Sequence, residues 1–222
     1  MSQIPSQACI LFDAMAVVQE LVVFKSVIKN GNDLAKLFVQ AIDKKSQRYM
    51  CTYVVFGDYS VQSSLKDATR KLRSKGKSKQ QPCYKVEDAT PITDFGTFLS
   101  STKTKDQLTL YLSEKVTEHS KSPVTSVTHQ DVRSNQQPSD IVNLQSTQEE
   151  ADTLLILYAA EVHNSGLNVH IYSSETNVMV LALSTQSYLG PEASLIMGTG
   201  EKRHLVRLEP STMRSGEAKS QH

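Results

Sequence analysis

Only three cysteines, Cys9, Cys51 and Cys83, occur in 222 residues. They are too few and too scattered for a disulfide framework or a zinc knuckle. Odd, unpatterned cysteines suit a reducing compartment, so an intracellular location, nuclear or cytoplasmic, is expected. No apolar run approaches the roughly 20 residues of a membrane-crossing helix, and no membrane partner is expected. Met1-Ser2-Gln3-Ile4-Pro5 lacks a charged stretch leading into an apolar one, so no secretory leader is expected. Histidines are sparse as well. His119, His129, His163, His170 and His204 include no pair at i, i+4, which excludes a helical two-histidine metal site, and His163 and His170 read as structural. Gly198-Thr199-Gly200 is too short for a phosphate loop and reads as a hairpin turn. An excess of one charge sign is also lacking: the net charge is +1.

What is present describes a globular chain. Hydrophobic residues make up 39% and charged residues 21%, enough to bury a core without covalent staples. A single domain over residues 1–210 is expected, with a flexible tail at 211–222. The near-zero net charge hides an uneven distribution. Residues 66–85 hold eight Lys/Arg against the single acid Asp67, a net +7, which leaves −6 for the rest. A polyanionic partner therefore stays open. The segment carries one aromatic, Tyr84, so it suits phosphate contact better than base stacking. A solvated helix face and a nuclear import signal are the competing readings.

Cys9-Ile10-Leu11-Phe12 reads as a buried strand ending at Asp13, and Thr52–Phe56 reads as a second. Ala14–Phe24 reads as helix, with Leu21–Phe24 open to a strand reading. Leu34, Leu37, Phe38, Ala41 and Ile42 recur at i, i+3, i+4, i+7, i+8 and predict a helix capped by Asn32 or Asp33. Further helices are predicted over about 62–74 and 105–118. Residues 120–147 are rich in Ser, Thr, Gln and Asn and read as a polar linker, with one short strand near Val124–Val127. Thr147 and Glu150 fit a capping box opening a helix. Leu167–Tyr172, Ser194–Met197 and His204–Leu208 read as strands, and Asn177–Leu183 as helix or strand. Strands alternating with helices predict an α/β fold with a mainly parallel sheet.

In such sheets, sites form beyond the C-terminal strand ends. Asp13, Asp58 and Glu175 all fall there, while Glu149, Glu150 and Asp152 open a helix. Converging carboxylates repel one another unless a cation intervenes. Mg²⁺ takes a few carboxylates, waters and a phosphate oxygen, and paired ions promote phosphodiester hydrolysis. Each acid also has a plain structural reading: capping for the helix acids and for Asp13, a surface role for Asp58 and Glu175.

Four segments occur in a telling order: Phe12–Gln19, Val55-Phe56-Gly57-Asp58-Tyr59, Glu149-Glu150-Ala151-Asp152-Thr153 and Ser174–Leu181. Over residues 8–208 the chain resembles the PIN-like domains related to flap endonucleases, in the group found in uncharacterised and transposon-derived animal proteins. The resemblance implies a three-layer α/β domain with a twisted sheet and a divalent-metal site holding Mg²⁺ or Mn²⁺. It implies Asp13, Glu150, Asp152 and Glu175 as catalytic and metal-binding acids, with Glu149, Asp58 and Asn177 as further candidates. It matches Lys66 and Arg70, with Arg73 nearby, to a basic helix gripping the phosphate of single-stranded or branched nucleic acid. Asn177 stands where the pattern has Asp, Gly57 stands where an acid follows Phe, and the pattern's later acidic segment is missing. The implied function is a nuclease-like domain with a partly degenerate metal site, active or inactive. The alternative is a non-catalytic scaffold that keeps the fold.

Overall fold

The computed structural model describes residues 7–59, 85–136, 151–198 and 200–208. The predicted helix over 62–74, most of the basic segment, the capping box at Thr147 and the tail lie outside them. Seven strands form one sheet: β1 (Ala8–Asp13), β2 (Cys51–Val55), β3 (Val124–Val127), β4 (Val132–Ser134), β5 (Asn168–Tyr172), β6 (Ser194–Met197) and β7 (His204–Arg207). Their order is β4-β3-β2-β1-β5-β6-β7. The inner five are parallel, and β4 and β7 close the edges antiparallel. The fold is thus α/β with a mostly parallel, helix-flanked sheet.

Period-two alternation along the strands divides the core. Ile10, Phe12, Val54, Phe56 and Tyr172 face one layer, built by α1 (Ala14–Glu20), α2 (Gly31–Ser46), α3 (Phe95–Phe98) and α4 (Thr102–His119). Cys9, Leu11, Tyr53, Val55, Val169, Ile171 and Leu195 face the other, built by α5 (Ala151–Asn164), α6 (Thr176–Ser184) and α7 (Gln186–Leu189). Burial on both faces explains why the central strands read as unbroken apolar runs. No helix among the described residues is long and apolar enough to cross a membrane.

Several local expectations change. Leu21–Phe24 is a 3₁₀ turn that leaves Val22, Val23 and Phe24 exposed. The cap of α2 is Asn30, whose side chain accepts the Asp33 N–H at 2.9 Å. Asn32 and Asp33 already lie inside the helix. The chain turns in there because Gly31 packs on the Glu87 carbonyl, where a Cβ would sit 2.2 Å from the oxygen. The polar stretch at 120–136 holds two strands, not one. Val132-Arg133-Ser134 pairs with β3 through its backbone and offers no apolar alternation to read. Between β6 and β7 the connection includes a 3₁₀ turn at Gly200–Lys202 rather than a bare Gly-Thr-Gly hairpin.

Candidate metal centre

Parallel strands bring their C-terminal ends to one edge. Along that edge the order β3, β2, β1, β5 lines up His129, Asp58, Asp13 and Glu175, each at or just beyond its strand. The chain winds outward from β1 to β2 and β3, then crosses to β5 and β6 on the other side. The switch point therefore lies between β1 and β5, where open α/β sheets carry their crevice.

Asp13 occupies that point. It is the last residue of β1 and caps α1, its Oδ1 accepting the N–H groups of Met15 (3.0 Å) and Ala16 (3.3 Å). Oδ2 accepts the buried Ser173 hydroxyl at 3.0 Å. Ser173 Oγ in turn accepts the Glu175 N–H at 3.1 Å, which fixes the turn leading from β5 into α6. Ser173 thus joins the two strand ends; only its place after a buried strand could have marked it in the sequence. Asp13 is 6% exposed. Burial pushes its carboxyl up from an ordinary 3.8 to about 6. The Ser173 and Ala16 hydrogen bonds pull it down, and the negative charges of Asp152 and Glu175 push it further up.

Asp152 is buried in the first turn of α5. Glu175 caps α6 by position, but its side chain makes no capping bond and is exposed. Of the four acids that the resemblance implied as ligands, Asp152 and Glu175 thus act on a third, Asp13. Glu149 and Glu150, and with them Lys66, Arg70 and Arg73, lie outside the described residues. Asn177 is exposed in the first turn of α6 and adds no charge to the group.

Gly57 has a steric reason. A Cβ there would meet the Ala151 Cβ at 3.1 Å, so the end of β2 and the start of α5 touch at this glycine. A side chain at position 57 would require Ala151 to give by a few tenths of an ångström. Asp58, one residue on, faces a different group: its Oδ1 lies 3.8 Å from His129 Nδ1, and His129 Nε2 lies 3.9 Å from Asp106 Oδ1 on α4. Neither His129 nor Asp106 was singled out from the sequence as a site residue. His129 follows β3 as Asp58 follows β2, so the strand-end rule, extended from acids to histidines, points to it.

Asp13, Asp152 and Glu175 suit a divalent cation by donor type alone; among the described residues, the ligand atoms that converge within 4.8 Å are those of Asp58, Asp106 and His129. The three acids form an oxygen-only donor set, and Asp13 Oδ2 keeps a lone pair beyond the one that Ser173 uses. A cation there would offset the repulsion that now raises the Asp13 carboxyl.

No family model and no curated protein matches the sequence. Among solved structures the chain is similar to a bacteriophage T5 flap endonuclease, in a pseudo-enzyme-product complex with DNA and metal ions. The identity is 12% and the TM-score 0.43. The match covers 90% of this chain and 58% of the endonuclease chain, so the protein spans little more than half of that neighbour's length.

Proposed function

We propose that the crevice between β1 and β5 is the divalent-metal centre of a PIN-like, nuclease-like domain that acts on nucleic acid. The supporting observation is the burial of Asp13 beside Asp152 and Glu175, with its carboxyl pushed up to about 6. A buried carboxylate among like charges is costly unless a cation offsets it. Asp13, Asp152 and Glu175 would hold Mg²⁺ or Mn²⁺, with Glu150 and Glu149 adjoining through the chain. A bound ion supplies Lewis acidity and a more acidic water for phosphodiester hydrolysis. The protein's own contribution is placement. The α1 cap and Ser173 fix the Asp13 carboxylate, and the buried first turn of α5 fixes Asp152.

In this reading Lys66, Arg70 and Arg73 hold the phosphates of single-stranded or branched nucleic acid. Binding then weakens steeply with salt, and Lys66→Ala with Arg70→Ala lowers the slope of log K against log[salt] by about 1–2. An unchanged slope would move the contact elsewhere.

The deciding experiment has two arms. Mg²⁺ is titrated by calorimetry into wild type and Asp13→Asn, with binding expected in wild type and lost in the variant. Single-stranded and flap DNA and RNA are then incubated with wild type and Asn177→Asp, which restores a charge at the crevice. No metal binding in wild type, together with no cleavage by either protein, defeats the nuclease reading. That pattern favours the second reading, a non-catalytic scaffold, which the neutral Asn177 supports.

A further inference from the structure

A second group of ligand-type side chains lies along the same edge, beyond β2 and β3 rather than between β1 and β5. Asp58 follows β2, His129 follows β3, and Asp106 projects from the second turn of α4. One carboxylate oxygen from each aspartate and one ring nitrogen of His129 lie within 4.8 Å of one another. All three side chains are largely buried.

Two atoms of the group have no bond that accounts for them. Asp106 Oδ1 and His129 Nδ1 are hidden from solvent and have no hydrogen-bond partner among the described residues. A buried polar atom without a partner is costly, and an ion is one of the standard explanations for it. At 3.8 Å from Nδ1 to Asp58 and 3.9 Å from Nε2 to Asp106, the imidazole is too far from either carboxylate for a direct hydrogen bond. An ion takes one ring nitrogen, and a set of one atom from each residue, all within 4.8 Å of one another, is available to it. The His129 ring is presented by a rigid turn, in which Thr128 Oγ1 accepts the Gln130 and Asp131 N–H groups at 3.3 and 3.0 Å.

We propose that Asp58, Asp106 and His129 form a binding site for a first-row transition-metal ion, Mn²⁺ or Zn²⁺, separate from the Asp13 crevice. The donor set narrows the ion. Imidazole nitrogen suits zinc and the two carboxylates suit Mn²⁺, whereas Mg²⁺ keeps to oxygen and to its own waters. Such an ion ties the end of β2, the β3 turn and α4 together beside the crevice. This site does not depend on nuclease activity.

The test is pulsed electron paramagnetic resonance of Mn²⁺ added to the whole protein, which detects nitrogen-14 coupled to a bound ion. Wild type shows the coupling in the presence of excess Mg²⁺. Asp13→Asn retains it, and His129→Gln loses it. No coupling in wild type, or coupling that persists in His129→Gln, overturns the proposal. Loss of coupling in Asp13→Asn overturns the claim of a separate site. Asp106→Asn gives an independent reading should His129→Gln fail to fold: calorimetric Zn²⁺ affinity falls at least about tenfold with the circular dichroism unchanged. Unchanged affinity overturns the assignment. Absence of Mg²⁺ binding by wild type, together with absence of cleavage by wild type and Asn177→Asp, removes the nuclease reading and leaves this result standing.

Discussion

Replacing Asp13 with asparagine should stabilise the metal-free protein at neutral pH. The folded carboxyl titrates at about 6 and the unfolded one near 3.8. Below 3.8 both states hold the proton and the residue costs nothing. As the pH rises from there, the unfolded chain gives up its proton first, so stability falls until about pH 6, where the loss is complete. At 1.36 kcal/mol for each pH unit between the two values, the full loss is about 3 kcal/mol. Asparagine mimics the protonated acid. Its carbonyl oxygen accepts the Met15 and Ala16 N–H groups, and its amide nitrogen faces the Ser173 hydroxyl, which can accept. The variant should match wild type at pH 4 and exceed it by about 2–3 kcal/mol at pH 7.5. In a chain of this size that is a rise in Tm of roughly 5–10 °C.

The assay is urea and thermal denaturation of both proteins in chelator at pH 4, 5, 6 and 7.5. Saturating Mg²⁺ should then reverse the order, because the cation binds the ionised carboxylate. At 1,000 times Kd it adds about 4.1 kcal/mol to wild type and nothing to a variant that does not bind. The reasoning is refuted if the variant is the less stable protein at pH 7.5 without metal, or if the gap between the two does not change with pH.

Three packing predictions use the same denaturation assay. Gly57→Asp, which supplies the acid that the pattern lacks, should lose about 1–3 kcal/mol, because its side chain must enter the contact with Ala151; a neutral effect would show that α5 shifts freely. Gly190→Ala should lose about 2–4 kcal/mol, since Gly190 has φ +84° and a Cβ there would lie 2.4 Å from the His163 ring. An unchanged urea midpoint would contradict that geometry. Leu155→Ala, at a fully buried position of α5 against the sheet, should cost about 2–5 kcal/mol with the m-value retained.

How much of this was legible follows from the range of the forces involved. Cys9-Ile10-Leu11-Phe12 read as a buried strand because burial on both faces writes itself into consecutive residues. Asp13 and Glu175 read as site acids because a carboxylate placed directly after such a strand must be accommodated at a sheet edge. Asp152 joined them only through the motif, since acids at a helix start have an ordinary capping use. Where meaning depends on a distant neighbour, the sequence is silent. Gly57 looks like a lost acid until Ala151, 94 positions later, is found pressed against it. His129 looks isolated because its partners come from β2 and α4, and spacing rules detect only ligands that share one element. β4 escaped notice because three residues held by backbone bonds need no particular side chains. The same logic bears on the degenerate positions. A missing carboxylate signals a lost function only if the position still has ready room for one, and at Gly57 a side chain enters only if Ala151 gives way. That glycine is evidence about how α5 meets the sheet. The weight of the question of activity rests on Asn177, which is exposed and free to be exchanged.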